Sequence, residues 1–184
     1  KVSYEERVTG IDPAAGGDGF TVTTTKARYD TRAVLLTIGR RGTPRQLGVP
    51  GEEMSKVVYR LIDPEQYQGL EVLVVGGGDS ALEAAHSIAE QPGTTVTLSY
   101  RSAAFTRAKA KNREKVEALA AKGRLDVLLN SNVKEIHEDS VLIEQDGKIA
   151  KIPNQAVIIS AGGILPTGFL KEVGINVETK DGTA

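Results

Sequence analysis

Residues 76–81 read Gly76-Gly77-Gly78-Asp79-Ser80-Ala81, a G-x-G-x-x-A spacing. That spacing suits the seating of a pyrophosphate against backbone amides. Gly76 allows a tight turn out of a strand, Gly78 lets phosphate approach the backbone, and Ala81 is small enough for close packing of helix on strand. The N–H groups of residues 79–81 would open the following helix and face the phosphates, with the helix dipole adding positive potential. Asp79 runs against this pattern: its carboxylate repels phosphate unless it turns away, and helix capping is its alternative use.

A second candidate group lies about twenty residues on. The segment Leu98-Ser99-Tyr100-Arg101-Ser102 is followed by Phe105-Thr106-Arg107, with no acid between Thr94 and Lys111. An acid there would bind the free ribose hydroxyls of NAD, whereas guanidinium groups bind a 2′-phosphate. Arg101 and Arg107 are therefore expected to read NADP(H), with Ser102 as a further donor. Lys109, Lys111 and Arg113 read as a solvated helix start.

The elements that must position these residues follow from pattern. Glu71–Val75 is an apolar strand, and residues 79–91 form a helix with Ala81, Leu82, Ala85, Ile88 and Ala89 on one face. Thr94–Tyr100 is a second strand, residues 111–122 a second helix capped by Gly123, and Leu125–Leu129 a third parallel strand. Asn132–Glu138, Val141–Gln145 and Lys148–Ile152 form an antiparallel meander with Asp146-Gly147 as a hairpin turn, and Ala156–Ser160 is another buried strand. Upstream, Lys1–Ile11 and Phe20–Lys26 read as a hairpin, Tyr29–Thr31 as a short strand, and Ala33–Ile38 as a continuous apolar, fully buried strand. Residues 39–53 read as a connector carrying a domain boundary. A short strand and a helical turn around Pro64–Tyr67 are expected within residues 57–69, and a short helix within residues 166–173. The fold class is α/β.

Composition excludes several functions. The chain holds no cysteine, so it supplies no disulfide, thiolate metal site or thiol redox pair. Its two histidines, His86 and His137, read as surface or boundary residues rather than ligands, and no metal site is expected. A net charge of −1 without basic blocks argues against nucleic acid. No apolar run reaches the ~18 residues of a membrane span, and residues 1–6 lack a signal-peptide core, so a cytoplasmic location is expected. Tyr59, Tyr67 and Tyr100 have no lysine four residues on, which argues against a short-chain dehydrogenase.

The chain resembles the thioredoxin-reductase-like flavoproteins, in which an NADPH domain interrupts an FAD domain. Residues 31–39 resemble the family's strand ending in Ala-Thr-Gly, and Gly76–Glu83 its Gly-Gly-Gly-x-x-Ala-x-Glu motif. Residues 100–107 stand in place of its His-Arg-Arg-x-x-x-Arg motif, and Ala161-Gly162-Gly163-Ile164-Leu165-Pro166 resembles its Gly-x-x-Pro turn. Only Arg101 keeps the arginine register: Ser102 replaces the second arginine, and Arg107 is displaced by one position.

The resemblance implies a Rossmann-like NAD(P)-binding domain, with a parallel sheet, helices and a small β-meander, flanked by β-rich pieces of the FAD domain. Residues 1–52 and 165–184 are expected to be those pieces, and 53–164 the NAD(P)H-binding domain. Glu83 is implied near the nicotinamide, and Gly162 and Gly163 near the cofactor. No catalytic residue is expected. The implied partners are nicotinamide dinucleotide, the missing FAD domain and, at full length, a second copy of the chain.

The family's Cys-x-x-Cys is absent from residues 57–67, so this chain resembles relatives that pass electrons through FAD to other acceptors. A flavin glycine motif is expected before Lys1 and a closing Gly-Asp motif after Ala184. The segment alone is expected to be inactive and not to hold FAD. The competing reading is a non-catalytic NAD(P)H-sensing or docking module. A flavin glycine motif upstream of Lys1 would favour the enzyme.

Overall fold

The computed structural model describes residues 2–38 and 43–178. They fall into two compact units, 1–43 with 164–184, and 44–163. In chain order the elements are β1 (Val8–Pro13), β2 (Phe20–Thr24), β3 (Arg28–Thr31), β4 (Thr43–Pro44), β5 (Val57–Val58), a 3₁₀ turn (Pro64–Tyr67), β6 (Glu71–Val75), α1 (Asp79–Ala89), β7 (Thr95–Ser99) and α2 (Ala110–Ala121). There follow β8 (Leu125–Leu128), β9 (Ser131–Ile136), β10 (Ser140–Gln145), β11 (Lys148–Pro153), β12 (Ala156–Ile159), β13 (Gly163–Ile164) and α3 (Thr167–Glu172).

The larger unit is built on a parallel sheet of order β5-β12-β6-β7-β8. Side chains alternate along each strand, and both faces are covered. Val72, Val74, Val96, Leu98 and Ile158 meet Ala81, Leu82, Ala85 and Ile88 of α1 and Val116 of α2. Leu73, Val75, Val157 and Ile159 point the other way, onto Val133, Ile136, Val141 and Ile143 of the β9–β11 meander. Each fully buried Val, Leu or Ile among them stabilises the fold by about 1.5–3 kcal/mol relative to exposure. The meander turns at Asp146 and Gly147, whose φ of 50° and 77° suit the tight primed hairpin turn.

Residues 44–52, expected to belong with the first segment, pack into this larger unit. Glu52 explains why: its carboxylate accepts the Leu47 and Gly48 N–H groups, each at 2.7 Å, and the Tyr59 hydroxyl at 2.9 Å. Burial alone would raise the Glu52 carboxyl, but these donors together hold it below its ordinary value. The Ile136 N–H then donates to the Pro50 carbonyl at 2.9 Å, fastening the segment to the meander.

The smaller unit contains the antiparallel sheet β1-β2-β3 and helix α3. The first strand begins at Val8 rather than at Lys1. The apolar run Ala33–Ile38 is not a strand: Leu35 is 88% exposed and Ile38 49%. A buried strand needs neighbours on both edges, and no described segment of this chain pairs with the run. Gly39 and Gly42 of the expected connector lie outside the described residues. Among the described residues no helix is long and apolar enough to cross a membrane.

Candidate functional site

Sequence order along the parallel sheet reverses between β6 and β12: β7 and β8 continue to one side of β6, while β12 lies on the other. In open α/β sheets the crevice at the carboxyl ends of the strands flanking such a reversal is where ligands bind. The turn 76–78 leaves β6 there, and residues 160–163 leave β12 beside it. Ser160 N–H donates to the Val75 carbonyl at 2.7 Å, and Gly76 N–H donates to the Ser99 carbonyl at 2.9 Å. Three strand ends are thereby tied into one edge.

Each glycine of the turn has a different surrounding. Gly76 has φ +144°, and a Cβ there would meet the Ser160 carbonyl and lie 3.0 Å from the Ala81 Cβ. Only glycine fits that backbone and that space. At Gly77 a Cβ would enter the Tyr100 ring, which stacks on Phe105 with centroids 5.4 Å apart. At Gly78 a Cβ would meet nothing within 4 Å. The turn is thus packed at its first two glycines and open at the third.

Gly78 is the N-cap of α1, and no side chain caps it. The carbonyl of Gly78 accepts the N–H groups of Ala81 at 3.0 Å and Leu82 at 3.1 Å. The donor expected at Ala81 is therefore engaged inside the helix. The N–H groups of Gly77, Gly78, Asp79 and Ser80 have no protein acceptor among the described residues. Free N–H groups at a helix start make an anion seat.

Asp79 is not the cap either. Its Oδ1 accepts the Lys109 N–H and the Asn112 Nδ2, both at 2.8 Å, across to the start of α2. The Lys109 N–H, then the Asn112 amide, hold this carboxyl below its ordinary value. Glu83, one turn further along α1, is exposed, and its Oε1 accepts the same Asn112 amide at 3.0 Å. Ser80 is exposed, and Ala81 is fully buried.

The segment after β7 is pinned by its backbone. Tyr100 N–H donates to the Leu128 carbonyl at 2.9 Å, and the Ser102 carbonyl accepts the Asn130 N–H at 3.3 Å. Arg113 is not a solvated residue of a helix start: it is half-buried, and its guanidinium donates to the Ala108 carbonyl at 2.8 Å and the Phe105 carbonyl at 3.4 Å. Arg101 and Arg107 are exposed and form no ion pair among the described residues. Gly162 and Gly163 follow β12, and the Gly162 carbonyl accepts the Arg45 N–H at 3.0 Å.

Sequence reasoning missed Asn112, Arg113 and the buried hydroxyl pair Ser99–Ser131, whose oxygens lie 2.7 Å apart beneath the strand ends. A usable signal existed for Asn112. The apolar stripe of α2 at Val116 and Leu119, extended back by four residues from Val116, lands on it. His86, expected at the surface or boundary, is only 7% exposed on α1, and its pKa is lowered, first by burial and then by Lys115.

A parallel sheet covered by helices on one face and by the meander on the other, with a glycine turn at its reversal point, defines the Rossmann-like α/β class. The chain belongs to the pyridine nucleotide-disulphide oxidoreductase family, whose model matches residues 1–184. It is 32% identical over 160 residues to the ferredoxin–NADP reductase of Ignicoccus hospitalis, across 83% of this chain and 50% of that protein. The bacillithiol disulfide reductase Bdr (YpdA) from Staphylococcus aureus superposes with a TM-score of 0.84 at 30% identity, over 98% of this chain and 55% of that one. The thioredoxin reductase of T. acidophilum gives 0.75 at 27% identity, over 94% and 57%. The chain therefore spans about half the length of the relatives it matches.

Proposed function

We propose that residues 44–163 form the nicotinamide-dinucleotide-binding part of an FAD-dependent oxidoreductase, which passes hydride from NADPH to flavin and then to an acceptor. The observation that carries this reading is the open face at Gly78, in a turn whose four successive N–H groups, Gly77 to Ser80, have no protein acceptor among the described residues. A pyrophosphate supplies the acceptors that this seat wants. FAD enters the reading through family membership. Residues 1–43 and those after 163 are read as pieces of the flavin-binding part.

The roles of the site residues follow from their surroundings. Gly76, Gly77 and Gly78 shape the turn, Ser80 and the first-turn amides face the phosphates, and Ala81 lets α1 approach β6. Tyr100 lies over Gly77, bordering the seat. Arg101, Ser102 and Arg107 read the 2′-phosphate, because exposed guanidinium groups that form no ion pair among the described residues favour a phosphate monoester over a bare ribose. Gly162 and Gly163 border the crevice on the β12 side. Glu83 is read as a contact of the nicotinamide end. The protein supplies orientation and charge, and the hydride chemistry belongs to the cofactors. No cysteine of this chain takes part, so the acceptor is reduced without a dithiol from this segment.

The test is the full-length protein under anaerobic conditions. Flavin absorption that bleaches on adding NADPH supports the proposal. A colourless full-length protein that binds NADPH without turnover favours the sensing or docking module instead.

A further inference from the structure

Asp79 stands at the first position of α1, directly after the open glycine. A carboxylate at a helix start is drawn to the N–H groups of that first turn. Those groups are the ones a pyrophosphate would need, so an Asp79 that folded back would both compete for them and repel the ligand. The side chain makes no bond to its own helix. It is turned onto α2 by two donors, the Lys109 N–H and the Asn112 amide.

Asn112 is well suited to this task. It is 6% exposed, and its Nδ2 reaches both Asp79 and Glu83, carboxylates four residues apart on one face of α1. The two hydrogens of a single amide are thus spent on two acids. An acid at 112 would repel both, and a hydrophobe would take this donor from Glu83 and leave Asp79 held by the Lys109 N–H alone.

We propose that Asn112 is a positioning residue of the coenzyme site, which together with the Lys109 N–H holds the Asp79 carboxylate against α2 and off the path of the pyrophosphate beside Gly78. This rests on the reading of Gly78 as the pyrophosphate seat. Asn112 touches no reacting atom and acts through Asp79. It accounts for an acid being tolerated at the mouth of an anion seat.

The test is a titration of the chain, followed by nicotinamide fluorescence, for wild type, Asn112→Leu and the double variant Asp79→Asn/Asn112→Leu, each with NADPH and with NADH. Asn112→Leu is expected to weaken both coenzymes alike, by about tenfold, because the pyrophosphate is common to them. The double variant is expected to return to within about threefold of wild type, because the freed group no longer carries charge. An unchanged affinity in Asn112→Leu overturns the proposal. So does a loss that Asp79→Asn does not relieve, which is the signature of a purely structural role, and so does a loss confined to NADPH. A wild-type chain that binds neither coenzyme overturns the proposed function itself, which is a distinct result. If Asn112→Leu does not fold, Asn112→Ser is measured in the same pair.

Discussion

The turn after β6 and the segment after β7 leave the same edge of one sheet, yet they are built in opposite ways. In the turn, backbone conformation and packing are inseparable: Gly76 is wedged against the Ser160 carbonyl and Ala81, and Gly77 lies under Tyr100. After β7 the backbone is pinned, but the side chains that carry charge, Arg101 and Arg107, are exposed and form no ion pair among the described residues. On the proposed reading, a phosphate seat shared by all dinucleotides is tied into the fold. The groups proposed to choose among dinucleotides are held outside it, where they can change without cost to stability.

The largest expected effect comes from breaking the first half of that contrast. Gly76→Val forces a branched side chain into a left-handed conformation and into backbone, at a cost of about 3 kcal/mol or more, and thermal melting of the chain will show the loss. Gly78→Val enters open space at φ −97°, so melting stays near wild type while coenzyme affinity falls by about a hundredfold. If both variants lose stability equally, the turn is uniformly packed and the contrast within it is wrong.

The second half is tested by Arg101→Ala. It should weaken NADPH by about tenfold, leave NADH within about twofold and leave melting unchanged. Equal losses for the two coenzymes would mean that Arg101 does not read the 2′-phosphate.

The smallest effect concerns His86, buried on the helix that the turn starts. Burial and Lys115 lower its pKa, while Glu90 and Glu83 act to raise it. A histidine pKa lowered on folding leaves stability intact above the unfolded value of 6.5 and erodes it as pH falls below that. Melting temperatures of wild type should therefore drop on acidification below that value, and His86→Gln should drop less. A parallel drop in both would place the acid sensitivity elsewhere.

The same comparison explains what was legible in the sequence. Strand β6, the glycine turn, α1, β7 and the meander were readable because their partners lie in this chain, so hydrophobic period and burial agree. Ala33–Ile38 carries the same apolar signature as Val72–Val75, but an apolar run encodes the need for a sheet partner and not its location. The Asp79 carboxylate was left open between turning away and capping because a first-turn acid can serve its own helix or a neighbouring one, and the choice rests on Lys109 and Asn112, thirty and thirty-three residues away. Arg113 sits among lysines, and nothing local distinguishes a guanidinium that caps two carbonyls from one in water.

The most direct measurement of the central claim is the titration of the unmodified chain with NADPH and NADH under identical salt. The account predicts saturable binding of both, with NADPH tighter by about tenfold or more. Binding of NADH as tight as NADPH, or of neither, would contradict it.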